Sequence, residues 1–269
     1  MQVKRRSISH EVEPPGPLSE TGSSIDVGVL PTPTVEHLLG TDISRLTRDI
    51  DRPIDLLEAG CGRSWTIDLS GRPTRITGAD VDRLALEHRI QVVKDMDSAV
   101  VGDLRDPELM GTGQYDVVYC AFVLEHVPGA EQVMDNFVSW LRPDGVLVIR
   151  IPDGDTVFGS LGKLLPHRLH IIYERWILGK RNAGRPGHGP YETVYDPIIS
   201  LSGLRHYCEA RRLSIDRVYK TNFCAEDWNA KPLKWRLIRL AMAARGFLSF
   251  RRLDASYSDI AVIIRKSAQ

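Results

Sequence analysis

The rhythm of hydrophobic and polar positions changes near residue 54. Over residues 35–50, Val35, Leu38, Leu39, Ile43, Leu46 and Ile50 recur at three- and four-residue steps, which predicts a helix with Gly40 as its expected break. Beyond it, short apolar runs at 54–59, 75–79, 99–101, 116–121 and 146–151 read as strands. Amphipathic stretches at 82–94 and 130–141 lie between them and read as helices. Strands alternating with helices imply βαβ units and a parallel sheet, and right-handed crossovers place helices on both faces. A further helix is predicted at 198–211, and two more strands at 214–221 and 257–266. The stretch 63–71 is poor in helix formers, so any helix there is expected to be short.

Three segments fall outside this rhythm. Residues 1–33 are rich in Pro, Gly, Ser and charge and read as a flexible arm, leaving 34–266 as one domain. Insertions at about 156–191 and 225–254 interrupt that domain near its C-terminal strands. In the whole chain of 269 residues, 42% are hydrophobic and 26% charged, the composition of a globular protein able to bury a core without staples. Cys61, Cys120, Cys208 and Cys224 show no CxxC spacing, which argues against a zinc site or a disulfide framework and fits a cytoplasmic protein. No apolar run approaches the roughly 18 residues that span a bilayer. Lys4, Arg5 and Arg6 have no apolar stretch behind them, so no secretory signal is expected.

The first predicted strand ends in Glu58-Ala59-Gly60-Cys61-Gly62. Alternate glycines let a turn bring its backbone close to a ligand, at the strand end where ligands sit in open α/β sheets. A tight turn alone needs the same residues, so later features decide. Gly78-Ala79-Asp80 ends the second strand, where a carboxylate can accept from both hydroxyls of a ribose. Gly102-Asp103-Leu104 ends the third, where an acid can accept from an adenine amino group. The fourth, YDVVYC, is followed by Leu124-Glu125-His126-Val127, and LRPDG feeds the fifth. A dinucleotide-binding dehydrogenase would share this sheet. It requires a small residue where Trp65 stands, which argues against it.

The ordered set EAGCG, GAD, GDL, YDVVYC, LEHV and LRPDGVLVI, over residues 54–152, resembles the class I S-adenosylmethionine (SAM)-dependent methyltransferases. The resemblance implies a doubly wound, Rossmann-like α/β fold with a seven-stranded, mostly parallel sheet, an antiparallel last strand and helical insertions. It also implies SAM as cofactor. Glu58, Gly60, Cys61 and Gly62 would then flank its methionine part, Asp80 and Val81 its ribose, and Asp103 and Leu104 its adenine. Cys120 and Ala121 would lie beside the sulfonium. Ser64 stands where such families often carry a third glycine. CAFVLEHVP is also similar to the quinone-biosynthesis O-methyltransferases, in which a Glu-His pair and an earlier Glu can bind a divalent cation. Glu125 and His126 match the pair, but Phe122 occupies the earlier position, so no metal site is expected.

A hydroxyl acceptor must lose a proton, which makes His126, beside Glu125, the leading base candidate, with a helix-start role as its alternative. His188, in the turn RPGHGP, is a second candidate, and Tyr191 could line an acceptor pocket. Residues 228–253 hold seven Lys/Arg and no acid, and residues 161–185 hold six against Glu174 alone. Basic amphipathic segments of this kind form either an ordinary lid with a solvated face or a contact with an anionic membrane surface. Aromatic residues are not interleaved as a stacking platform, which argues against nucleic acid. The reading is an enzyme that methylates a small-molecule acceptor, foremost a hydroxyl of a lipid-like or lipid-linked metabolite. C- or N-methylation and non-catalytic SAM binding are the alternatives.

Overall fold

In the computed structural model, residues 25–65, 67–69, 71–164, 191–194, 196–222 and 253–267 are described, with isolated positions between 168 and 184 and at 240 and 247. The strands are β1 (Ile25–Leu30), β2 (Ile54–Ala59), β3 (Thr74–Asp80), β4 (Ser98–Val101), β5 (Tyr115–Ala121), β6 (Leu141–Pro152), β7 (Ser214–Thr221) and β8 (Asp259–Arg265). The helices are α1 (Thr32–Leu46), α2 (Arg83–His88), α3 (Ala130–Trp140), α4 (Val157–Leu164) and α5 (Leu201–Ala210). One sheet runs β1-β7-β8-β6-β5-β2-β3-β4. Every neighbouring pair is parallel except those made by β8, which lies antiparallel to both β6 and β7.

The antiparallel last strand is as expected, but the sheet has eight strands rather than seven. The extra one is β1, which lies in the stretch read as an arm and pairs with β7, Ile25 opposite Arg217 and Leu30 opposite Thr221. Its run IDVGVL is short and interrupted by Gly28, so its alternation is easily lost among the flanking prolines. The rest of the predicted arm, residues 1–24, lies outside the described residues.

Central strands buried on both faces read as continuous apolar runs, and here their alternate residues supply two cores. Leu57, Val118, Cys120, Leu147, Ile149, Val262 and Ile264 pack against α3 and α5 through Val133, Phe137, Trp140, Leu204 and Tyr207. On the opposite face Ile54, Leu56, Val117, Tyr119, Val146, Val148 and Ile263 pack against Val35, Leu39 and Ile43 of α1. Gly40 does not break α1: it lies so close to the next segment that a Cβ there would stand 1.8 Å from the Asp68 carbonyl oxygen. Ile67 and Leu69 fill the same face. Among the described residues of 63–71 none is helical, as the shortage of helix formers foreshadows.

The chain runs outward from β2 to β3 and β4, then returns to β5 on the other side of β2. The carboxyl ends of β2 and β5 therefore form a topological switch point, where open α/β sheets bind their ligands.

Candidate active site

A cavity of about 860 Å³ opens at that switch point. Its lining comes from four strand ends: Gly60 and Gly62 after β2, Asp80 and Val81 at β3, Asp103 and Leu104 after β4, and Ala121 and Phe122 at β5. His126, Val127, Tyr191 and Glu192 close one side.

The glycine turn is pinned to the neighbouring strand. Gly60 and Cys61 donate their N–H groups to the Ala79 carbonyl at 2.8 and 3.2 Å. Gly60 has φ 69°, and a Cβ there would lie 2.3 Å from a Val123 methyl, so only glycine fits. Gly62 donates to Asp80 Oδ2 at 2.9 Å, and Asp82 donates to Asp80 Oδ1 at 2.8 Å. Each oxygen of Asp80 thus holds one backbone donor and keeps acceptor capacity for a second.

Beneath the turn lies a buried ion cluster. Glu58 is 5% exposed and Arg89 fully buried. Arg89 donates to Glu58 Oε2 at 2.8 Å, to Glu58 Oε1 at 3.4 Å, to the Cys61 carbonyl at 2.9 Å and to Asp95 Oδ1 at 2.7 Å. Burial outweighs the lowering by the Arg89 hydrogen bonds and leaves the Glu58 carboxyl pushed up to about 7. Glu58 therefore shapes the loop from behind and does not line the cavity. Cys61 and Cys120 are likewise buried behind its wall, with both thiols pushed up by burial.

At the β5 end, Leu124–His126 form a single 3₁₀ turn. His126 Nδ1 lies 3.0 Å from the Glu192 carbonyl oxygen, and its ring meets Tyr191 edge-on with centroids 5.7 Å apart. Val194 donates to the Glu125 carbonyl at 2.7 Å, and Asp196 Oδ2 accepts from Gly129 and Ala130 at 2.9 Å each, so Val194 and Asp196 are tied to this turn and to the start of α3. The Glu125 side chain is buried behind the cavity wall, with its Oε1 4.0 Å from His126 Nε2. It is 4% exposed, its Oε2 has no hydrogen-bond partner among the described residues, and burial pushes its carboxyl up to about 8.

Phe122 holds φ 56°, a conformation uncommon for a residue with a bulky side chain. Its N–H donates to the Arg150 carbonyl at 2.8 Å, and its ring carries the Arg150 guanidinium 5.1 Å from its centroid. Arg150 is fixed in turn by Glu36 of α1 at 3.0 Å.

Of the residues singled out in the sequence, Gly60, Gly62, Asp80, Val81, Asp103, Leu104, Ala121, His126 and Tyr191 meet in the cavity. Glu58, Cys61, Cys120 and Glu125 stand behind it, and His188 lies outside the described residues. Asp82, Phe122 and Glu192 join the lining without having been expected there. Asp82 could have been found as the N-cap of α2, whereas Glu192 carries no local signal.

A family model described as "Methyltransferase domain" matches residues 34–211. The chain belongs to that methyltransferase family. A ubiquinone biosynthesis O-methyltransferase of Marinobacter nauticus is 33% identical over 200 residues, covering 64% of this chain and 83% of that protein. One from Rickettsia conorii is 26% identical over 114 residues, covering 41% of this chain but 39% of its own length. Among solved structures, a putative sarcosine dimethylglycine methyltransferase from Galdieria sulphuraria shares the fold, with a TM-score of 0.54 at 12% identity over 87% of this chain and 85% of that one.

The cofactor of the methyltransferase is SAM, and its cavity fits an adenosyl ligand. Asp80 offers one acceptor position on each oxygen to a vicinal diol. A Cβ at Gly62 would meet nothing within 4 Å, so the turn leaves open space over the strand ends. Val81, 72% exposed, and Leu104 offer apolar surface for a base.

Proposed function

We propose that this methyltransferase methylates a hydroxyl of a small, lipid-like or lipid-linked acceptor, with His126 as the base. Two things support O-methylation: the similarity to ubiquinone biosynthesis O-methyltransferases, and the placement of His126 on the cavity wall with Ala121 and Phe122. Its placement carries the proposal. A ring held at Nδ1 by a backbone carbonyl carries its proton there, which puts the lone pair of the neutral imidazole on Nε2.

When bound, SAM supplies an electrophilic methyl group on a sulfonium. The chain's own work is positional and protolytic. Asp80 and the Gly60–Gly62 turn fix the donor, Phe122 and Tyr191 wall the acceptor side, and His126 Nε2 takes the hydroxyl proton. Alignment of reactants can supply about 7–11 kcal/mol, and a positioned base a further factor of about 10²–10⁴. Burial pushes the Glu125 carboxyl up to about 8, which lessens the negative charge held 4.0 Å from His126 Nε2 at pH 7.

The apolar character of the acceptor rests on Phe122, Val123, Val127 and Tyr191 along one side of the cavity. The two basic insertions form its lid in this reading and touch an anionic membrane. The test is turnover of hydroxylated amphiphiles by wild type and His126→Ala. Turnover in the variant is expected to fall about 10²–10⁴-fold with SAM affinity unchanged. Equal turnover removes His126 from the chemistry.

A further inference from the structure

Two carboxylates face the cavity at the ends of β3 and β4, and they are hydrogen-bonded in opposite ways. Asp80 receives one backbone N–H on each oxygen and keeps room on both. Asp103 receives four contacts from one residue. Its Oδ1 accepts from the Arg105 backbone N–H at 2.9 Å and from Nε at 3.0 Å, and its Oδ2 accepts from Nε at 3.1 Å and from Nη2 at 2.5 Å. These are three N–H groups, the single Nε–H being shared by both oxygens, so Arg105 occupies most of the roughly four lone-pair positions of Asp103.

Arg105 does this from outside. Asp103 and Leu104 line the cavity and Arg105 does not. Its side chain is 47% exposed. The backbone beneath it is fixed to α3: the Arg105 carbonyl accepts from Gln132 Nε2 at 3.0 Å, and the Leu104 carbonyl from Asn136 Nδ2 at 2.9 Å. The loop therefore stays in place while the guanidinium can swing into solvent.

We propose that Arg105 is a latch on the base-recognising carboxylate, competing with the exocyclic amino group of adenine for Asp103 and so setting both cofactor affinity and preference for a 6-amino purine. The ribose subsite is preformed, whereas the base subsite gains its full acceptor capacity as the guanidinium lets go. This rests on the adenosyl reading of the cavity. Because the Arg105–Asp103 pair is exposed, salt weakens it, and affinity for a neutral adenosyl ligand rises with ionic strength.

The test is calorimetry with S-adenosylhomocysteine, which is net neutral, and with its analogue lacking the 6-amino group. Wild type, Arg105→Ala and Arg105→Lys are titrated at low and high ionic strength. Arg105→Ala is expected to bind S-adenosylhomocysteine about two- to fivefold more tightly at low salt, the range set by an exposed ion pair. The deaminated analogue should gain nothing, and Arg105→Lys, which keeps the charge without the planar fork, should fall between. Wild-type affinity should rise with salt while that of Arg105→Ala stays flat. Unchanged or weaker binding by Arg105→Ala, or an equal gain for both ligands, overturns the latch alone. Failure of every variant, wild type included, to bind S-adenosylhomocysteine overturns the cofactor assignment and the latch with it.

Discussion

At the scale of single residues, the pair Glu125-His126 divides its work by burial. His126 reaches the cavity, while Glu125 is buried behind it, its Oε1 4.0 Å from His126 Nε2 and its Oε2 without a hydrogen-bond partner among the described residues. Its pKa is raised from 4.5 to about 8, so the folded chain holds a proton that the unfolded chain releases. Folding is therefore favoured by this group below about pH 4.5, and that contribution is lost as pH rises to about 8. Glu125→Gln keeps the shape and removes the titration. The stability of the variant relative to wild type, read from thermal unfolding, should grow across that window, by at most about 1.4 kcal/mol per pH unit, and level off above it. A difference that does not vary with pH would mean that Glu125 is solvated. None of this was legible in the motif LEHV, which pairs two titratable residues without saying which faces inward. Asp80 and the glycines were legible, because their roles follow from strand ends and backbone conformation.

At the scale of elements, the helix expected over 82–94 divides into α2 and a π-helical turn over Arg89–Val93, ending at Lys94 with φ 59°. Amphipathic spacing reveals a helix but not a register change inside it, which depends on what one side chain must reach. Here that side chain is Arg89, the common partner of Glu58, the Cys61 carbonyl and Asp95. The charge under the glycine turn is thus supplied from an element about thirty residues downstream, a pairing that local periodicity cannot announce. Arg89→Ala leaves Glu58 buried without its counter-ion, and loss of one partner of a buried pair costs about 3–5 kcal/mol. Urea denaturation should show that loss, together with weaker S-adenosylhomocysteine binding as the turn relaxes. The double variant Glu58→Gln/Arg89→Met should recover much of the stability, because it removes the stranded charge. A single variant as stable as wild type would show that the pair contributes specificity without stability.

At the scale of the whole molecule, alternating strands and helices were enough to give the sheet and the edge where the cavity lies, while the antiparallel β8 followed from the resemblance to the class I methyltransferases. The eighth strand was not legible, because β1 gains its hydrogen bonds from β7, almost two hundred residues away. The surface is where the largest inference remains open to test. A chain of zero net charge concentrates thirteen Lys/Arg in two segments, 161–185 and 228–253, most of which lie outside the described residues. Within or beside these segments the described positions Trp176, Leu240 and Phe247 are 74%, 67% and 80% exposed. No helix of the described residues is long and apolar enough to cross a membrane. Each basic residue near an anionic surface contributes about 1 kcal/mol, and insertion of aromatic side chains adds to it. The protein should therefore float with phosphatidylglycerol vesicles at low salt, not with phosphatidylcholine vesicles, and release as salt shortens the Debye length. Phe247→Asp substitutes an exposed position, so it should weaken flotation while leaving thermal stability and S-adenosylhomocysteine binding intact. If wild type ignores anionic vesicles at low salt, the basic segments are a solvated lid, and the acceptor must reach the cavity from water.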